Sequence, residues 1–127
     1  MILSCLFTAK TEARGWGVFT KKAIRKGTTL EVSPVVVMTQ NEKELLDETR
    51  LHDYIFHWEG DQCCMALGLI SVYNHSYTSN ADYLQDFEQG VIEIVAVRDI
   101  QAGEEICINY NGEWDDPKPV WFEVMEP

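Results

Sequence analysis

The chain has 127 residues, of which 46% are hydrophobic, and its formal net charge is −11. This length and hydrophobic content predict a single domain with its own core. No apolar run approaches the roughly 20 residues of a membrane-spanning helix. The negative charge argues against direct contact with nucleic acid or an anionic membrane, and it favours basic partners.

Short strands are expected along most of the chain, because β-branched and aromatic residues recur between turn signals. Pro34 has no N–H to donate to a neighbouring strand, so a break is expected there. Residues 91–97 are apolar on both faces, which predicts a central strand. The predicted strands are residues 3–7, 16–20, 28–32, 35–39, 54–58, 62–67, 82–87, 91–98 and 106–108.

One surface helix is expected at residues 39–50. Its start has the form of a capping box, in which a threonine or asparagine is followed three residues later by a glutamate. Thr39 with Glu42 and Asn41 with Glu44 fit this form equally well.

The N-terminus and the cysteines indicate a reducing compartment. Residues 1–7 are apolar but lack the basic start and cleavage site of a signal peptide. Cys5, Cys63, Cys64 and Cys107 form no C-x-x-C pair, so we interpret them as core residues and predict no metal site. We therefore expect a cytoplasmic protein.

Three polar motifs stand out as candidates for a functional site, although each motif alone is weak evidence of a function. An R-G-W-G motif at residues 14–17 contains glycines that permit close approach of the backbone to a ligand, or form a plain turn. An N-H-S motif at residues 74–76 follows the apolar run 65–70 and must satisfy several donors and acceptors. A G-E-E motif at residues 103–105 precedes Tyr110. Its adjacent glutamates are most simply turn residues, one of which holds a backbone or arginine partner.

The order and spacing of these motifs resemble the SET-domain lysine methyltransferases, especially the small single-domain members of large DNA viruses and bacteria. Residues 53–56 followed by 65–68 also match that subgroup. The resemblance implies one SET domain over residues 1–127, without a pre-SET or Cys-rich post-SET region. It implies a mainly β, β-clip-like SET fold of several small sheets, one or two short helices and a C-terminal pseudoknot.

The resemblance also implies a reaction, the transfer of a methyl group from S-adenosylmethionine to a lysine side-chain amine. Such a transfer needs a neutral amine, aromatic walls and oriented oxygens, not a catalytic triad. Tyr110 is the implied catalytic residue, and Tyr54 is implied to line the same site. The implied cofactor-binding residues are Arg14, Gly15, Trp16, Gly17, Asn74, His75, Tyr110 and Trp114.

Structural interpretations of the same residues stay open at this point. Tyr110 also fits a half-buried residue at a strand end, Tyr54 a core strand residue and Trp114 a packing residue. The backbone of His75 can matter more than its ring, and the Arg14 side chain need not take part.

The sequence departs from many SET enzymes in two places that agree. Tyr77 stands where a zinc-binding cysteine usually follows the N-H-S motif, and residues 114–127 contain no cysteine. The resemblance therefore implies a site closed without zinc. Because the pre-SET region is absent, the peptide groove is expected to be completed by a homodimer, as in small viral members.

The predicted function is methylation of a lysine in a basic protein or histone-like tail, in the cytoplasm, or in the host nucleus if the source is viral or the protein is an effector. The alternative is a catalytically silent SET-like module that binds a basic protein. A hydrolase built on Ser76 or a cysteine is disfavoured, because no nucleophile motif accompanies them.

Overall fold

The computed structural model describes residues 1–110. Over this range the chain is mainly β, as predicted, and forms two sheets with one short α-helix. No helix within residues 1–110 has the length and apolar character needed to cross a membrane. The strands are β1 (Leu6–Thr11), β2 (Gly15–Thr20), β3 (Thr29–Met38), β4 (Ile55–His57), β5 (Cys63–Ala66), β6 (Asn74–His75), β7 (Ala81–Asp86), β8 (Val91–Ala96) and β9 (Glu105–Ile108).

The first sheet has the order β1-β2-β9-β6 and brings all three polar motifs together. β9 pairs antiparallel with β2 on one side and parallel with β6 on the other. Asn80 holds β9 in place, because its side chain donates to the Glu105 carbonyl oxygen at 2.8 Å and accepts from the Cys107 N–H at 2.9 Å. β9 therefore lies beside the N-H-S motif, and the implied C-terminal pseudoknot stays a prediction.

The second sheet has the order β4-β5-β3-β8-β7, with β8 inside it, as expected from its apolar sequence. The predicted break at Pro34 is wrong, because β3 runs continuously through that residue. Residues 29–34 of β3 pair with β8, and residues 35–38 pair with β5. Pro34 therefore lies where the strand changes partner, and its carbonyl oxygen accepts from the Leu67 N–H at 3.0 Å.

The helix α1 spans Gln40–Asp47 and is shorter than predicted. Its N-cap is Thr39, and both hydrogen bonds of a capping box with Glu42 are present, so the first of the two possible registers is confirmed. The chain then forms a separate 3₁₀ turn, Arg50–Tyr54, which is capped by Thr49 and was not predicted. This turn places Tyr54 just before β4 instead of inside it.

The first strand also differs from its prediction at residues 3–7, since β1 begins at Leu6. Pairing with β2 decides where β1 lies, from Leu6 opposite Thr20 to Thr11 opposite Gly15. The apolar residues before it contact β3 instead, where the Leu3 N–H donates to the Leu30 carbonyl oxygen at 3.0 Å.

Both sheets contribute to one hydrophobic core. Val18 and Ile106 enter it from the first sheet, and Leu30, Ile92 and Ile94 enter it from the second. Burying aliphatic side chains of this size stabilises the fold by roughly 1.5–3 kcal/mol each. The core therefore fixes the first sheet, which carries the motifs, against the second.

Candidate active site

The candidate site consists of two cavities, a larger one of about 590 Å³ and a smaller one of about 220 Å³. Tyr54 and Tyr110 line both cavities. Asp53 and Ser71 also line both, so the two cavities meet at these four residues. Molecules bound in the two cavities would therefore approach each other beside Tyr110. The larger cavity is also lined by Thr8, Arg14, Gly15, Trp16, Val72 and Asn74, and the smaller by Ile55, Phe56, His57 and Tyr83.

Tyr110 follows β9 by two residues and is held at both its side chain and its main chain. Its hydroxyl donates to the Tyr73 carbonyl oxygen at 2.7 Å, and its N–H donates to His75 Nδ1 at 3.0 Å. The Tyr83 hydroxyl donates to the Tyr110 carbonyl oxygen at 3.2 Å. Burial raises the pKa of the Tyr110 hydroxyl well above its ordinary value, so the phenol stays protonated at neutral pH.

Tyr54 is half exposed at 50% of its surface and lies at the wall of both cavities. Its interpretation as a core strand residue is therefore wrong, because the 3₁₀ turn turns it outward. The predicted role of Tyr54 in the reaction stays a prediction, and its position suits that role.

The Arg14 side chain, whose part in the site was left open at the level of sequence, lines the larger cavity. Its guanidinium forms an ion pair with the Glu105 carboxylate, and both side chains are largely buried. The Asn74 side-chain amide donates to Glu105 Oε2 at 2.8 Å and to the Trp16 carbonyl oxygen at 3.1 Å. This network joins the R-G-W-G, N-H-S and G-E-E motifs, and it confirms the expectation that one of the two glutamates holds an arginine.

The two glycines of the R-G-W-G motif differ in their surroundings, since Gly15 lines the larger cavity and Gly17 packs against Glu105 and Asn74. Gly15 has φ +69° and lines the larger cavity, where an added Cβ would meet nothing within 4 Å. A Cβ on Gly17 would lie 2.5 Å from Glu105 Oε2 and 3.0 Å from Asn74 Nδ2. Gly17 is therefore needed for internal packing, and its contact with a cofactor stays a prediction. Trp16 is 56% exposed at the cavity edge.

His75 is 3% exposed and supports Tyr110 from behind. Because Nδ1 accepts from the Tyr110 N–H, the ring is neutral with its proton on Nε2. Its ring also packs against those of Tyr77 and Tyr110, with centroids 4.6 Å and 5.2 Å away. The ring thus positions the site residue, which agrees with the view that His75 is not a general base.

Several residues of the site were missed at the level of sequence. Asp53 lies in a run that carried the family resemblance, so the sequence held a signal for it. Thr8 and Ser71 belong to no motif, and they are placed by the pairing of β1 with β2 and by a second 3₁₀ turn, Ile70–Val72. Trp114, predicted to cover the cofactor, lies outside the described residues.

The mainly β fold, with two cavities that meet at the partly buried Tyr110, agrees with the SET-type methyltransferase class that the motifs imply. The SET domain family model matches residues 15–111, and the chain belongs to this family. It is an enzyme of the protein-lysine N-methyltransferase class.

Known proteins support this assignment at the level of sequence and fold. The chain is 33% identical over 124 residues to the Schizosaccharomyces pombe histone-lysine N-methyltransferase specific for H3 lysine-37, covering 97% of this chain and 80% of the relative. It is 27% identical, with a TM-score of 0.68, to the crystal structure of a proposed Plasmodium falciparum histone methyltransferase, covering 89% and 98% of the two chains. A humanized mutant of the Chaetomium thermophilum Polycomb Repressive Complex 2, bound to the inhibitor GSK126, shares the fold with a TM-score of 0.71 at 22% identity, covering 83% of this chain and 14% of the other.

Proposed function

We propose that the chain transfers the methyl group of S-adenosylmethionine to the side-chain amine of a lysine in a basic protein, with a histone-like tail as the first substrate class to test. The observation that carries this proposal is the position of Tyr110, which lines both cavities where they meet. The relative named for H3 lysine-37 and the net charge of −11 support a basic protein substrate.

The larger cavity has the chemistry that this cofactor needs. SET methyltransferases generally use S-adenosylmethionine, which supplies an electrophilic methyl group on a cationic sulfonium. A volume of about 590 Å³ lies in the usual range for cofactor sites. The rings of Trp16, Tyr54 and Tyr110 and the carboxylate of Asp53 complement a cation. The main chain at Gly15 and the Asn74 side chain offer polar contacts, and Arg14, His75 and Gly17 hold these groups in place.

The smaller cavity is the proposed lysine channel, and Tyr110 is the proposed catalytic residue. Making a lysine amine neutral at pH 7.4 costs about 4 kcal/mol, which desolvation between Tyr54, Phe56 and Tyr83 lowers. Because the Tyr110 hydroxyl donates its proton to the Tyr73 carbonyl, it meets an incoming amine as an acceptor. An N–H bond from the amine to this oxygen aims the nitrogen lone pair at the larger cavity.

The test is transfer of radiolabel from methyl-labelled S-adenosylmethionine to histones and other lysine-rich proteins. Tyr110→Phe should lower transfer by about a hundredfold or more, because it removes the orienting oxygen. Its cofactor dissociation constant, measured by calorimetry, should stay within about threefold. Tyr77→Phe is the matched control, because Tyr77 lines neither cavity and the substitution keeps the ring that packs on His75, so it should keep full activity.

Other outcomes of this test would change the proposal. Cofactor binding without transfer to any protein would favour the catalytically silent module that binds a basic partner. Absence of both cofactor binding and transfer would overturn the roles of Arg14, Asn74 and Tyr110 together.

The proposal also includes a homodimeric assembly and a cytoplasmic location. A homodimer would complete the peptide groove, and a mass in solution equal to the monomer at high concentration would contradict it. A cytoplasmic location is supported by four free cysteines, three of them buried.

A further inference from the structure

Glu31 is a fully buried carboxylate that lines neither of the two cavities. It is 0% exposed and lies on β3, within the core. Oε2 accepts from the Ser33 hydroxyl at 2.7 Å and from the Leu69 N–H at 2.9 Å, and Oε1 accepts from the Tyr73 hydroxyl at 2.8 Å. Burial of a carboxylate is costly unless it is hydrogen-bonded in this way, so this arrangement needs a reason.

The partners of Glu31 lie at the two ends of one short segment. Leu69 precedes the 3₁₀ turn Ile70–Val72 and Tyr73 follows it. The Glu31 side chain is therefore hydrogen-bonded to residues at both ends of the turn. The turn carries Ser71 and Val72, which line the larger cavity. The glycine before it, Gly68, packs so tightly on Glu31 and Ser33 that an added Cβ would collide with both.

The same segment holds the Tyr110 hydroxyl. The Tyr73 side chain donates to Glu31, and the Tyr73 carbonyl oxygen accepts from the Tyr110 hydroxyl at 2.7 Å. The position of this carbonyl therefore depends on how the Tyr73 ring is held. A chain of contacts runs from Glu31 through Tyr73 to the oxygen that would orient the amine.

We propose that Glu31 is a positioning residue for methyl transfer, acting through Tyr73 to hold the Tyr110 hydroxyl at the junction of the two cavities. This proposal rests on the proposed function. It assigns Glu31 and Tyr73 a part in the reaction although neither residue lines the larger or the smaller cavity. Burial, followed by the nearby Glu31 charge, raises the pKa of the Tyr73 hydroxyl well above its ordinary value, so Tyr73 remains a donor over the working pH range.

Two conservative variants test the chain of contacts. Tyr73→Phe removes the hydroxyl and keeps the main-chain carbonyl. Glu31→Gln keeps one oxygen for Ser33 and Leu69 but turns an amide group toward the Tyr73 hydroxyl. Each should lower kcat by about ten- to a hundredfold, because misplacing a reacting group by about 1 Å costs this much. The Michaelis constants for peptide and cofactor should stay within about twofold. The double variant should be no worse than either single one.

Glu93→Gln is the matched control. Glu93 is a partly buried carboxylate on β8 that accepts from the Thr29 hydroxyl at 2.9 Å, and it lines neither cavity. Its kcat should equal that of the wild type. All variants are assayed well below their thermal unfolding midpoints, so that rates refer to folded protein. A kcat within twofold of the wild type in folded Tyr73→Phe and Glu31→Gln would overturn the proposal, as would equal losses in Glu93→Gln.

A second measurement needs neither cofactor nor substrate. With tyrosine labelled by ¹³C at the ζ-carbon, the five tyrosines give five NMR signals, and Tyr110→Phe identifies that of Tyr110. The Tyr110 signal should shift in Glu31→Gln and in Tyr73→Phe and stay in place in Glu93→Gln. An unmoved Tyr110 signal would overturn the proposal even if kcat falls. If the wild type transfers no methyl group, the proposed function fails, and this signal alone decides whether Glu31 positions Tyr110.

Discussion

Tyr110 owes its position to partners that are distant in the sequence. Its N–H and hydroxyl donate to groups 35 and 37 residues away, in His75 and Tyr73, and its carbonyl oxygen accepts from Tyr83, 27 residues away. The motif predicts that Tyr110 matters, but no local pattern predicts these contacts. They follow from the pairing of β6 with β9, which brings the two motifs side by side.

The protonation state of Tyr110 makes a prediction for the dependence of rate on pH. Burial raises the Tyr110 pKa well above its ordinary value near 10, so its hydroxyl stays neutral through the mildly alkaline range. The substrate amine becomes neutral more often as pH rises. The rate of transfer should therefore increase steadily from about pH 7 to 9, with no fall from Tyr110 ionisation below about pH 10.

This prediction is checked by single-turnover transfer measured across that range with saturating cofactor. The unfolding midpoint at each pH is the control for stability. A flat profile would contradict the requirement for a neutral amine, and a fall beginning below about pH 9 would contradict the raised pKa of Tyr110.

At the scale of single elements, β9 is held by a charge network that the sequence could only suggest. The adjacent pair Glu104 and Glu105 offers a matched comparison. Glu105 is buried against Arg14 and Asn74. The side chain of Glu104 is 35% exposed, accepts from the Asn80 side-chain amide at 2.8 Å and lies 3.9 Å from the Arg98 guanidinium. Glu105→Gln should lower the free energy of unfolding by about 3 kcal/mol, because it leaves the Arg14 charge buried without its partner.

Glu104→Gln is the control and should cost less than about 1 kcal/mol, because the amide keeps an oxygen for the Asn80 side chain and only the exposed ion pair with Arg98 is lost. Urea unfolding of the two variants measures both values. Cofactor affinity should also fall in Glu105→Gln, because Asn74, which also donates to the Trp16 carbonyl oxygen, loses its charged acceptor. Equal losses of stability in the two variants would contradict the distinction drawn between the two carboxylates.

Two glycines with the same backbone conformation differ in their surroundings. Gly68 has φ +65° and lies against Glu31 and Ser33, whereas Gly60 has φ +63° and faces open space. Gly60→Ala should cost about 1 kcal/mol from backbone strain alone. Gly68→Ala adds overpacking and should cost about 1–3 kcal/mol more. Urea unfolding measures the loss in the free energy of unfolding for both variants. Equal losses would contradict the prediction, because they would mean that the residues around Glu31 move to accommodate the added methyl group.

Local rules predicted some elements well and others poorly, for a physical reason. The capping box at Thr39 and the start of α1 depend on residues three apart, so the sequence contains the whole interaction. The strand β3 changes partner at Pro34, and β1 begins at Leu6, because of pairing with distant strands. The network of Arg14 and Glu105 is equally non-local. The overall SET fold could be predicted from the sequence only through the motifs and their order. The periodicity of apolar residues predicts strands and helices, but it contains no information on how the strands connect in space.

At the scale of the whole molecule, buried groups with raised pKa values predict loss of stability in alkali. Burial raises the pKa of Cys64 to about 11 and that of Tyr83 to about 12. Both values lie above those of the unfolded chain, so the native state keeps protons that the unfolded state releases. The stability contributed by these groups is complete below about pH 9 and is lost as pH rises through the folded pKa values.

The free energy of unfolding should therefore fall from about pH 9 upward, measured by urea unfolding at one-unit steps. Cys64→Ala is the informative variant, because it removes the thiol whose pKa burial raises to about 11. Its curve should be shallower than that of the wild type between about pH 9 and 10. A stability that stays constant to about pH 11 would contradict the raised pKa values.

The net charge of −11 makes the last prediction, which concerns encounter with the substrate. A molecule with this charge attracts a lysine-rich chain over distances that salt screens, since the Debye length falls from about 10 Å at 0.1 M to 3 Å at 1 M. For a histone tail, kcat/KM should fall by on the order of tenfold between about 0.05 and 0.5 M NaCl, through KM, while kcat changes less than about twofold. A neutral peptide with one lysine is the control and should show little dependence on salt. If both peptides respond equally, the charge acts on the enzyme itself, and its role in selecting basic substrates is refuted.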